Sequence, residues 1–200
     1  MSNREVFINC PFSRDYQDSF RAIVFAVIRS GFFPRCSLES DDGSENRFEK
    51  ICQIILECKY GIHDISKTAP DADSGLPRFN MPLELGLFLA AKKFGGPGQR
   101  QKKCLIFDVS QYRYQQFISD ISGQDIHAHN GSTGKLIREV AGWLRSHTDD
   151  RKIPGGMSIF REFNQFLTEI SQICEGQDLD PDELTYQDFR VMAANWIVAM

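Results

Sequence analysis

Strand-like and helix-like patterns alternate about five times between residues 5 and 146 of this 200-residue chain, and this alternation restricts the fold more than any other feature. Two strands joined through a crossover helix lie parallel in one sheet. Repeated units of that kind predict a parallel sheet with helices on both faces.

The first strand covers Val6, Phe7 and Ile8 and enters a loop at Cys10, Pro11 and Phe12. Residues 15–29 follow as a helix, with Phe20, Ile23, Val24 and Val27 at helical spacing and Gly31 as the stop. Residues 32–38 read as a second strand, which Pro34 suits to a sheet edge. Residues 47–58 form a helix that Asn46 can cap, and residues 60–66 form the third strand and its exit. A Pro/Asp/Gly-rich loop over 67–77 leads to a third helix, and the apolar run 103–108 is a central fourth strand. Residues 112–118 suggest a short helix, 125–129 a short fifth strand, and 132–146 a helix with Leu136, Ile137, Val140, Trp143 and Leu144 inward. Right-handed crossovers then favour a flavodoxin-like, doubly wound order 2-1-3-4-5 for residues 1–150.

After residue 150 the pattern becomes purely helical, with one amphipathic helix over 157–173 and another opening at Asp180-Pro181 or at Thr185. Residues 151–200 are expected as a helical appendage packed on the first domain. Phe160, Phe163 and Phe166 face Phe189, Met192 and Trp196 most simply by mutual packing, with self-association as the secondary reading. The charge run at residues 149–152 reads as a solvated linker.

The net charge of −4 offers no general attraction for nucleic acid or an anionic membrane. No stretch reaches the ~18 apolar residues of a membrane span, and the N-terminus has no apolar signal region. The six cysteines contain no C-x-x-C and fall mostly in apolar segments, which predicts reduced thiols and a cytoplasmic protein.

The third helix holds the most informative side chain. Between Arg78 and Lys92 the single ionisable residue is Glu84, and Leu83, Leu85, Leu87, Phe88 and Leu89 leave no polar stripe. The helix is therefore expected to start with Pro82 at its first position and to be buried nearly all round. Glu84 would then lie in the first turn, either offsetting the helix dipole or closing a cap, or else serving as a catalytic acid. In the predicted topology the crevice outside the carboxyl ends of strands 1 and 3 collects Cys10, Pro11, Phe12 and Arg14, then Asp64 and Ser66, and also Asn80 with Glu84.

Several chemistries of such crevices lack their residues here. A phosphoacceptor receiver needs an acidic pair after strand 1, and Asn9 and Cys10 supply none. A flavin phosphate loop wants hydroxyls and glycines, and Ser13 is the one hydroxyl. A thiol phosphatase needs Arg six residues after its cysteine, where Tyr16 stands, so Cys10 reads as packed or ligand-adjacent rather than nucleophilic. Isolated carboxylates in an apolar, aromatic crevice suit cleavage of an N-glycosidic bond, whose oxocarbenium-like transition state a fixed carboxylate stabilises or captures.

A strand ending in Asp64 and a helix carrying Glu84-Leu85-Gly86 resemble the nucleoside 2-deoxyribosyltransferase and nucleotide N-glycosidase group, and the related TIR domains. More closely, Phe7-Ile8-Asn9-Cys10-Pro11-Phe12, His63-Asp64-Ile65-Ser66, residues 78–86 and residues 119–126 are similar to an uncharacterised bacterial family of about this length. The resemblance implies Glu84 as catalytic carboxylate, Asp64 as partner of a sugar hydroxyl, and Phe12 and Asn80 near base or ribose. It implies a nucleotide or nucleoside as the small-molecule partner, with NAD a candidate substrate rather than a cofactor, and a role in bacterial defence or nucleotide signalling. A homo-oligomer or an activating partner protein is left open. The alternative is a non-catalytic nucleotide-binding or TIR-like adaptor module of the same fold.

No metal is expected. His127 and His129 share a strand face but lack the further ligands of a zinc site, so capping or loop packing is the simpler reading. His63, next to Asp64, should point to the opposite face and be structural.

Overall fold

The computed structural model describes residues 2–68, 70, 75–148 and 152–200. Five strands, β1 (Ser2–Asn9), β2 (Phe33–Arg35), β3 (Cys58–Asp64), β4 (Lys103–Asp108) and β5 (Ile126–Ala128), form one parallel sheet in the order β2-β1-β3-β4-β5. This is the expected doubly wound order. Pro34 does sit in the edge strand, the position in a sheet that tolerates a proline. Lys152 of the expected linker is exposed, and residues 149–151 lie outside the described residues. The same holds for residues 69 and 71–74 of the expected 67–77 loop.

The helices are α1 (Gln17–Arg29), α2 (Arg47–Glu57), α3 (Asn80–Phe94), α4 (Thr133–Ser146), α5 (Gly156–Glu175) and α6 (Tyr186–Ala199). The chain folds into two compact units. One comprises residues 1–17 and 34–132, the other residues 18–33 and 133–200.

In the first unit α2 and α3 pack on the sheet. Ile51, Ile54 and Ile55 of α2 join Phe7, Cys58 and Phe88 in one core cluster. Met81 and Leu85 of α3 join Ile65, Ile106 and Tyr114 in another. Asn46 caps α2 by accepting from the amides of Phe48 and Glu49. Lys102 closes the other end of α2: its buried ammonium donates to the carbonyls of Ile55 and Cys58 and lies 4.7 Å from the centre of the Phe88 ring. The segment after β4 forms two short 3₁₀ turns, at Arg113–Gln116 and Ser119–Ile121, instead of an α-helix.

In the second unit Phe25 of α1 stacks on Phe166 and contacts Phe163 and Trp196. Trp143 of α4 is half-buried. Thr185 opens α6 with a capping box to Asp188, which decides between the two starts considered from sequence. Among the described residues no helix is long and apolar enough to cross a membrane.

Helix α3 departs from expectation in two ways. It starts two residues earlier than Pro82, with Leu83 N–H donating to the carbonyl of Phe79, so Pro82 is the third helical residue. Proline is still tolerated there, because the first N–H groups of a helix have no intrahelical acceptor. Nor is the helix buried all round. Met81, Leu85 and Phe88 alone are buried, while Leu83, Gly86, Ala90 and Phe94 face solvent. An apolar sequence without a polar stripe gives no phase from which to tell the covered face from the open one.

Candidate functional site

The parallel register puts Asn9 beside His63 and Asp64 beside Phe107, so the ends of β1, β3 and β4 form one edge. The order in which strands are added reverses at β1, with β2 on one side and β3 on the other, which makes this edge the switch point.

Asp64 is sealed into this edge, with no exposed surface. Its Oδ1 accepts from the Ser66 amide at 2.8 Å, and its Oδ2 accepts from the Tyr16 hydroxyl at 2.5 Å. His129 brings Nε2 to 3.3 Å from the same Oδ2, though not aligned as a hydrogen bond. The Gly131 amide donates to His129 Nδ1 at 2.9 Å, which assigns the ring proton of the neutral imidazole to Nε2, on the side of Asp64. Burial, then the Asp64 charge, pushes the Tyr16 phenol far above its usual value, so it remains a donor.

Glu84 lies in the second turn of α3, and the first turn contains no acid. The dipole and capping roles considered from sequence therefore do not describe it, because that effect fades within the first turn. No described residue hydrogen-bonds its carboxyl. Burial raises its pKa to about 7, with the charge of Arg47 opposing. Arg47, the first residue of α2, is anchored to Ser37 Oγ at 2.9 Å.

Cys10 sits within electrostatic range of both carboxylates. Burial above all, then Asp64, Cys36 and Glu84, raises its thiol well above the ordinary range. A thiol so disfavoured as thiolate is a poor nucleophile, in line with a packed cysteine. Pro11 is buried beside it, and Phe12 and Ser66 are half-buried. Arg14 and Asn80 are exposed, and no described contact ties either to Asp64 or Glu84.

Asn9 holds this arrangement to α3. Its amide nitrogen donates to the carbonyl of Met81 at 2.8 Å and lies 3.0 Å from His63 Nδ1. His63 is buried edge-on to Phe7 and Phe88, away from Asp64, and burial lowers its pKa to about 3. On the other flank Arg113 donates to Asp108 Oδ1, to Thr68 Oγ1 and to the carbonyls of Ile65 and Ser66, so it clips the β3 and β4 exits together. Asp108 Oδ2 is a buried acceptor with no hydrogen bond from the described residues.

Of the residues expected in the crevice, Cys10 lies within electrostatic range of both Asp64 and Glu84, and no described contact joins the two carboxylates. Asn9, Tyr16, Arg47, His129 and Asp108 were not expected there. Asp108 ends its strand as Asp64 does, a signal open to reading. The Tyr16 and His129 contacts carry no local signal.

An open groove of about 570 Å³ lies elsewhere in this unit, lined by Arg35, Glu39, Lys50 and Glu57 among others. Arg35 pairs there with Glu5, Glu39 and Glu57. Lys50 pairs with Glu45 there, and the groove contains none of the edge residues described above. Among the described residues no group of His, Cys, Asp and Glu could hold a metal ion. No protein-family model, curated protein or solved structure matches the chain.

Proposed function

We propose that the chain cleaves the N-glycosidic bond of a nucleotide or nucleoside, NAD included, with Glu84 as the reacting carboxylate. The supporting observation is Glu84 itself. It is a carboxyl with no capping role and no hydrogen-bond partner among the described residues, raised to about 7 beside the switch point of the sheet.

As the bond between C1′ and the base nitrogen breaks, its electron pair leaves with the base and positive charge grows on the sugar. An ionised Glu84 stabilises that charge or bonds to C1′ until water or another acceptor attacks. A pKa near 7 leaves a working fraction of carboxylate at neutral pH, and a partly desolvated carboxylate interacts more strongly with the developing cation than one in water. Arg47 keeps the carboxyl from rising further. The resemblance to N-glycosidases supports the same reading, as does their association with defence and nucleotide signalling.

The second reading is a nucleotide-binding or adaptor module without turnover. One observation favours it: both oxygens of Asp64 are engaged and enclosed, so a sugar hydroxyl would have to displace Tyr16 to reach it.

The test incubates wild type and Glu84→Gln with NAD, NADP, nucleosides and nucleoside monophosphates and follows free base by chromatography. Wild type should release base from at least one, and Glu84→Gln should lose at least about 100-fold of that rate. Binding without base release from any substrate would leave the adaptor reading standing instead.

A further inference from the structure

The outward face of α3 is unusual for a helix lying on a sheet. Positions 79, 83, 86 and 90 follow the four-three-four spacing of a single helix face, opposite the buried Met81, Leu85 and Phe88. That face consists of Phe79, Leu83, Gly86 and Ala90, and it continues to Lys93 and Phe94. Phe79 is 58%, Leu83 55% and Phe94 78% exposed. From Phe79 to Ala90 the stripe contains no polar side chain.

The stripe also has a shape. Its middle is small: a Cβ built on Gly86 meets nothing within 4 Å, and Ala90 is exposed one turn on. Large apolar residues stand on either side of that middle. A shallow saddle flanked by two knobs is self-complementary. Turned about a two-fold axis between Gly86 and Ala90, an identical helix runs antiparallel. The saddles then meet, and Leu83 of one copy faces the Lys93–Phe94 end of the other. Such isologous pairing is the commonest way soluble chains associate, and small residues at a crossing let two helices approach closely.

The exposed surface is of the right order. At about 200 Å² for a fully exposed large side chain, Phe79, Leu83 and Phe94 alone leave roughly 380 Å² of apolar surface. A standard interface takes about 800 Å² per partner, a little over half of it apolar.

We infer that the outward face of α3 is a homodimer interface, closed by a second copy of this chain through an antiparallel crossing at Gly86 and Ala90. The inference does not depend on the glycosidase reading, and its test does not use activity.

Sedimentation equilibrium of wild type, Gly86→Gln, Leu83→Glu and, as a surface control, Val198→Glu decides it. Wild type and Val198→Glu should show twice the protomer mass at micromolar concentrations. Gly86→Gln fills the saddle, and Leu83→Glu places a charge in the contact. Each should raise the dissociation constant at least about 100-fold. Gly86→Gln cannot be dismissed as misfolding, because an exposed helical glycine gains helix propensity on substitution, so its thermal midpoint as a monomer should not fall. A wild type that stays monomeric up to about 100 µM overturns the proposal. So does a dimer that both variants leave intact, and so does capture of a different protein by a monomeric wild type.

Discussion

The hydroxyl of Tyr16 lies 2.5 Å from Asp64 Oδ2, and the two groups, 48 residues apart in sequence, are both buried. A carboxylate this deep in a protein requires donors, and Tyr16 and the Ser66 amide supply them. Removing the hydroxyl leaves one oxygen with the poorly aligned His129 as its remaining neighbour. Tyr16→Phe is therefore expected to cost about 1–3 kcal/mol in urea unfolding at pH 7. The phenol also gives a sign at high pH. Its folded pKa lies above the ordinary 10, so the folded protein keeps a proton that the unfolded chain loses. Wild-type stability should fall as pH rises above 10, and Tyr16→Phe should lose that component.

Glu84 gives a test of the same sign at mild pH. Its pKa rises from 4.5 to about 7 on folding, so between these values the folded protein binds more protons than the unfolded chain. Stability then falls as pH rises through that window, and the full cost is present above about pH 7. Glutamine does not ionise. Glu84→Gln should be more stable than wild type by about 1–3 kcal/mol at pH 8 and nearly equal at pH 4, read from unfolding curves at both.

Arg47 opposes that rise from the start of α2. Arg47→Met should move the Glu84 pKa further upward, above about 7, with the shift read from a carbon-detected NMR titration of its carboxyl. An unchanged titration would mean that the two side chains do not interact in solution.

Lys102 tests the closure of α2. Its ammonium serves the carbonyls of Ile55 and Cys58 in a buried position. Lys102→Met preserves most of the aliphatic stem but leaves both acceptors unserved, and should cost about 2–4 kcal/mol in denaturant unfolding.

Two glycines should respond oppositely to the same change. A Cβ on Gly61 would lie 2.6 Å from His63 Nε2 and 2.8 Å from the Phe88 ring, while one on Gly86 meets open space. Gly61→Ala is expected to destabilise by about 1–3 kcal/mol through overpacking. Gly86→Ala is expected to stabilise the protomer by about 0.5–1 kcal/mol through helix propensity. Thermal denaturation of the two variants side by side checks both signs.

The order of elements was legible in the sequence because its signals are local. Alternating apolar runs, Asn46 before α2, Gly31 after α1 and Pro34 in a short strand each report on a few neighbouring residues, and parallel crossover rules turn their order into the 2-1-3-4-5 sheet. Glu84 was legible as an isolated acid in an apolar helix. Its setting was not. The true helix start at Asn80 moved it out of the first turn, and the fold put Cys10 within electrostatic range of both Glu84 and Asp64. Only the tertiary structure closed Tyr16 and His129 on Asp64, bound Asn9 to Met81, and left one face of α3 open. These are contacts between groups far apart in the chain. Hydrophobic periodicity reports which side of an element seeks cover, and a helix apolar all round does not state which side receives it.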